Sequence, residues 1–223
     1  MKLTYFPYKP IEMTVDQPTI LQTNNVAVMT DWVSGLRDLN DKIKLSDDSY
    51  NSVDISKGIH WIGDPFLQVD LNKVFEAPLQ KRLVEVLDDD ARSKLFELDK
   101  ALKSAVFDAS FSLNLPLAVG NDFDPLKMIK YSGIAFAEEI KSDPYDIIES
   151  VIKVAFQLKI TKIITLVNVH NYLSVNQFHE LVSVIKALDL TTLFIDFSES
   201  NHSELFDECR YSFVDEDFID WRN

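Results

Sequence analysis

The stretch Lys162–Phe197, KIITLVNVHNYLSVNQFHELVSVIKALDLTTLFIDF, carries the pattern that decides the fold. Its two ends, Lys162–Asn168 (KIITLVN) and Thr192–Phe197 (TLFIDF), are short apolar runs rich in β-branched residues. That is the signature of strands buried on both faces. Between them, Ser174 and Gln177 stand in the spacing of a capping box, in which each side chain satisfies a backbone N–H of the first helical turn. The helix that follows places Phe178, Leu181, Val182, Ile185 and Leu188 on one face. Strand, helix and strand at this spacing predict a βαβ unit with parallel strands and a right-handed crossover.

Working outward, Cys209–Val214 is expected to add a last strand. At the other end, Lys2–Phe6, Ile11–Met13 and Thr19–Thr23 read as short strands. Asn24 or Asn25 then caps a helix running to about Asn40, with Val28, Trp32, Leu36 and Leu39 inward. Asp41–Asn51 reads as a polar loop and Gly58–Gly63 as a strand. The middle of the chain is helical. Pro78 suits the first turn of one helix, and Asp88-Asp89-Asp90 separates it from the next. That second helix carries Leu95, Leu98, Leu102, Ala105 and Ala109 at the spacing of a coiled-coil seam. After an insert with Pro116 and Gly120, Asp124-Pro125 opens a brief helix that Gly133 closes. Ile134–Glu139 is strand-like, and Asp143-Pro144 starts a helix with Ile148, Ile152, Ala155 and Leu158 inward. The simplest assembly is an α/β head, residues 1–70 and 159–223, interrupted by a helical excursion over residues 71–158.

The chain has 223 residues, enough for one sizeable core, or for one core with a smaller appendage. With one cysteine, Cys209, no internal disulfide can form, and four scattered histidines do not complete a zinc site. No apolar run reaches the length of a membrane span, and the N-terminus lacks the apolar core of a signal peptide. A reduced, cytoplasmic protein is expected. The formal net charge is −14, and Asp189–Asn223 holds ten acids against two bases. Such acidity weighs against nucleic-acid binding, whose affinity comes largely from Lys and Arg neutralising phosphates.

Familiar catalytic patterns are missing. The Gln22-Thr23-Asn24-Asn25 connection has neither glycine nor lysine, so it cannot cradle phosphates as a P-loop does. Asp196 ends a buried strand where a nucleotide hydrolase would hold magnesium. Without the phosphate loop, it reads as an acid at the end of a strand. No G-x-S-x-G elbow and no H-E-x-x-H helix occurs. His170 follows a buried strand and reads as a loop residue bonded to backbone. His60 and His179 read as structural, and Cys209 as a small buried hydrophobe. Asp122, Asp124, Glu138 and Glu139 lie on adjoining segments and could offer oxygen ligands to calcium, or simply be solvated. The lysines are scattered rather than striped.

The run Lys162–Phe197 nevertheless resembles the C-terminal core of the small fourth adaptation protein of type II-A CRISPR systems. The shared features are the strand ending in Val167-Asn168, the loop with Tyr172-Leu173-Ser174, the amphipathic helix, and the Leu-Thr-x-Leu-Phe strand at Leu190–Phe194. Val214-Asp215-Glu216-Asp217-Phe218 is similar to that family's closing motif, and Pro18–Leu21 fits its N-terminal strand. The resemblance implies a degenerate P-loop-like α/β head with a parallel βαβ core and an inserted α-helical leg. It implies a non-catalytic homotetrameric ring that threads double-stranded DNA from free ends, is supported by calcium, and hydrolyses no nucleotide. Its partners would be the spacer integrase and the RNA-guided nuclease of the same system. On this view Lys127, Lys130 and Lys141, with Lys42 and Lys44 behind them, are the expected DNA contacts. Asp122, Asp124, Glu138 and Glu139 are the expected calcium ligands. An acidic exterior would then direct DNA into a basic channel. Two alternatives stand beside it: an acidic scaffold that binds partner proteins and not DNA, and a divergent nucleotide hydrolase using Asp196.

Overall fold

The N-terminal segment TILQT is buried along its whole length because strands from the far end of the chain close on both its edges. The computed structural model describes residues 1–68, 70–137 and 143–222. In order, the elements are β1 (Lys2–Tyr5), β2 (Ile11–Glu12), β3 (Thr19–Thr23), α1 (Val26–Leu36), β4 (Ile43–Ser46), β5 (Ser52–Val53), α2 (Ile55–Gly58), β6 (Ile59–Gly63) and α3 (Pro65–Gln68). Then follow α4 (Leu71–Val86), α5 (Asp89–Ser110), α6 (Pro125–Tyr131), α7 (Pro144–Gln157), β7 (Ile163–Val167), α8 (Val175–Ala187), β8 (Thr192–Phe197), β9 (Arg210–Val214) and β10 (Asp220–Arg222). The contacts divide the chain into Met1–Val74 with Glu139–Asn223, and Phe75–Glu138.

The first unit is α/β. Its main sheet runs β10-β9-β3-β8-β7-β6, parallel except for β10 against β9. A small antiparallel sheet, β2-β1-β4-β5, lies beside it. The βαβ unit read from Lys162–Phe197 is present: β7 and β8 pair in parallel, and α8 joins them from a complete Ser174–Gln177 capping box. Alternation along the strands sorts the two faces. Leu21, Leu193, Ile195, Ile163 and Val167 join Val28, Trp32 and Leu36 of α1 in one core, which Ile43 and Leu45 of β4 complete. On the opposite face, Phe178 of α8 meets Phe194 edge-on. Asn25 begins α1, its carboxamide accepting from Ala27 and Val28.

Several expectations change here. Asp41–Asn51 is not a loop throughout, since Ile43 and Leu45 alternate inward as β4. Leu39 lies beyond the end of α1 and is 66% exposed. Helix α7 was expected in the excursion over 71–158. Instead Ile148, Val151, Ile152 and Ala155 are fully buried and the helix belongs with the sheet, so the excursion narrows to the second unit. Pro78 does not open its helix. Asp70 accepts from the N–H groups of Asn72 and Lys73 and starts α4 earlier, leaving Pro78 inside it.

In the second unit, Asp88 caps α5 by accepting from Ala91, with Asp89 and Asp90 in the first turn. Phe96 meets Phe123 edge-on. Among the described residues, none of the seam expected on α5 is buried. Leu98, Leu102 and Val106 are exposed, as are Phe111, Leu113 and Leu115 just beyond. Residues Ile134–Ala137 form no strand, and Glu138–Glu139 fall outside the described residues. Among the described residues no helix is long and apolar enough to cross a membrane.

Two outcomes test this packing. A Cβ on Gly35 would lie 2.4 Å from Ile43 Cγ1 and 2.9 Å from its Cβ. Gly35→Ala gains up to about 1 kcal/mol of helix propensity but overpacks by about 1–3 kcal/mol, so a net loss is expected in urea unfolding. His60, on β6, is held down to about 4, first by burial and then by the charge of Lys162. The unfolded chain therefore takes up that proton first as pH falls below about 6.5. The stability contributed is present above that pH and is lost toward pH 4. Solvent screening leaves about 1–2 kcal/mol for this group. His60→Gln should flatten the loss across that window relative to wild type.

Candidate functional site

Gln22 and Asp196 are register partners at the carboxyl ends of β3 and β8, and both are fully buried. In open α/β sheets this edge is where ligands usually sit. The Tyr211 hydroxyl of β9 donates to Gln22 Oε1 at 2.6 Å and accepts from the His202 N–H at 3.1 Å. Burial pushes that hydroxyl up to about 12, so it remains a donor. His170, just after β7, brings Nδ1 to 2.9 Å from Asp196 Oδ1, close but not aligned as a hydrogen bond. No hydrogen-bond partner among the described residues reaches either Asp196 oxygen or Gln22 Nε2. Phe206 roofs the cluster, stacked on Tyr211 and edge-on to His170 and Phe178.

The beginning of α1 explains what this edge does not offer. Thr23 Oγ1 donates to Val214 O and accepts from the Asn25 N–H, while Asn24 Nδ2 donates to Glu199 O. The Asn25 carboxamide already takes the first N–H groups of the helix. A phosphate would have to displace the chain's own cap, and no lysine stands in this turn.

A second polar group lies at the end of β6, where sequence reading saw nothing. Asp64 Oδ2 accepts from the Tyr172 hydroxyl at 2.8 Å and from Asn168 Nδ2 at 3.4 Å. Burial, and then the bond to Asp64, raise Tyr172 to about 12. No motif spacing links these residues; only the parallel pairing of β6 with β7 brings them together.

The residues singled out in the sequence are spread over both units. Lys42 Nζ lies 2.7 Å from each Asp31 oxygen, and Asp31 also accepts from the Tyr5 hydroxyl. That lysine is therefore neutralised. Lys44 is exposed on β4, and Lys127 and Lys130 are exposed one turn apart on α6. Lys141, Glu138 and Glu139 lie outside the described residues. Asp124 Oδ1 accepts from Leu126 as the cap of α6, and the Asp122 carbonyl accepts from Lys103 Nζ at 2.8 Å. Among the described residues no three His, Cys, Asp or Glu side chains converge as a metal site. The two described acids, one of them a helix cap, do not by themselves fit calcium. Cys209 is buried, and its thiol is raised to about 12 by that burial.

No protein-family model matches the chain. No curated protein matches it either. Among solved structures, the fold is similar to the crystal structure of Stu0660 of Streptococcus thermophilus. The TM-score is 0.56 at 14% identity, over 96% of this chain and 74% of that one.

Tyr211→Phe tests whether the buried cluster holds the sheet. Losing the hydroxyl strands the Gln22 carboxamide, and a loss of about 1–3 kcal/mol is expected in urea unfolding with unchanged m value. Unchanged stability would mean that Gln22 finds another partner.

Proposed function

We propose that this chain is a non-catalytic, ring-forming subunit that binds double-stranded DNA, with a preference for free ends, during CRISPR spacer acquisition. One observation carries the proposal: the residues that resemble the small fourth adaptation protein are those that fold into β7, α8 and β8 beside the central strand. The fold shared with Stu0660 supports the same α/β architecture. The self-capped start of α1 fits a degenerate P-loop-like head that takes no nucleotide. The exposed apolar residues of α5 and the segment beyond it offer a surface for assembly into a homotetramer. Lys127, Lys130 and Lys44, each exposed, are the proposed phosphate contacts, with Lys42 contributing less because of Asp31. Lys141 belongs to the same proposal. Calcium would bind with Glu138 and Glu139 supplying what Asp122 and Asp124 lack. The spacer integrase and the RNA-guided nuclease are the proposed partners.

The net charge of −14 favours a second reading, an acidic scaffold that binds partner proteins without holding DNA itself. Gel-shift assays with linear and covalently closed circular DNA of equal length, with calcium and then with a chelator, separate the two. A ring that threads ends shifts linear DNA only, and loses the shift on chelation if its ions are needed. Lys127→Ala with Lys130→Ala should then lower the salt slope of binding by about two for each subunit in contact with DNA. Absence of any shift by folded protein favours the scaffold.

A further inference from the structure

The turn after β1 and the hairpin joining β9 to β10 together hold aromatic rings out in solvent. Phe6 is 87% exposed and Phe218 is 55% exposed. Neither is a loose end. The Tyr8 hydroxyl donates to Phe218 O at 3.2 Å, and the Tyr8 ring lies 5.5 Å from that of Tyr5, which is anchored on Asp31. Phe218 sits at φ +61°, a conformation that costs a bulky residue free energy. The Asp215 carboxylate fixes it by accepting from the N–H groups of Asp217 and Ile219 and from Trp221 Nε1. Between the two phenylalanines lies a cleft of about 400 Å³, with Tyr5 and Tyr8 and the Asp31–Lys42 pair among its lining. That volume is in the range of ligand-binding clefts, roughly 300–1,000 Å³.

The charge around the cleft selects the occupant. Glu216 and Asp217 are exposed beside Phe218 and form no ion pair among the described residues. The lysine in the wall is neutralised by both oxygens of Asp31. Aromatic faces attract cations, and planar guanidinium groups stack on them with less loss of hydration than ammonium groups. Nucleic acid, an anionic membrane surface and a second copy of this −14 chain all bring negative charge to an acidic rim. We propose that this cleft docks an arginine-bearing basic segment of a partner protein, with a guanidinium against Phe6 and Phe218 and further positive charge met by Glu216 and Asp217. This surface is independent of DNA binding, and its failure would leave that proposal standing.

The test is fluorescence anisotropy of the full chain with a short labelled peptide of alternating glycine and arginine, and with its lysine counterpart. The arginine peptide should bind more tightly than the lysine peptide. Phe6→Ala with Phe218→Ala should weaken it about ten-fold or more without moving the unfolding midpoint. Glu216→Gln with Asp217→Asn should weaken it and reduce its salt dependence. No binding by wild type, or binding unaltered in the phenylalanine variant, overturns the proposal. A fall in the sedimenting mass of that variant also overturns it, by showing that a second copy of the chain covers the cleft.

Discussion

The fold depends on one strand finding its neighbours across the length of the chain. β3 is buried on both faces and pairs in parallel with β8 on one edge and β9 on the other, Thr19 meeting both Leu193 and Arg210. A strand so placed can satisfy its N–H and C=O groups only through those two partners. Everything that the sheet organises follows from that closure. Helix α1 gains its apolar bed, Gln22 is brought beside Asp196, and the hairpin at the end of the chain is carried to the turn after β1.

The parts of the fold that were legible in the sequence were those whose pattern is local. Runs such as IITLV and TLFIDF need no neighbour to be recognised as buried strands, and a capping box is complete within four residues. Strands of a few residues were harder. β4 hides in a polar stretch, its evidence being only Ile43 and Leu45 two apart. β10 is three residues with two of them exposed, and it exists because β9 offers an edge. Helix α7 was recognised, yet its membership was not, since an apolar stripe tells that a helix is covered and not by what. The apolar spacing on α5 predicts helix pairing without telling whether the partner lies in the same chain, and among the described residues none of the helix is buried.

The site was less legible than the fold, for a related reason. Charge and motif spacing reveal chemistry carried by neighbours in sequence, and this chain assembles its polar clusters across strands. Asp196, Gln22, Tyr211 and His170 come from four separate segments, as do Phe6 and Phe218 from opposite ends. The missing phosphate loop could be read directly, because it depends on residue types within one turn. The neutralisation of Lys42 could not, because Asp31 approaches it from α1.

The placement of β3 has a consequence for synthesis. Because β9 lies far downstream of β3, a nascent chain carries β3, with its edges and apolar faces unsatisfied, until translation has passed β9. The sheet therefore stays open while the long segment between these strands is being made, and chaperones that shield extended apolar segments suit that interval. A message truncated before Tyr211 yields a product that lacks this edge of the sheet and the donor to Gln22, a substrate for proteolysis instead of a smaller working protein.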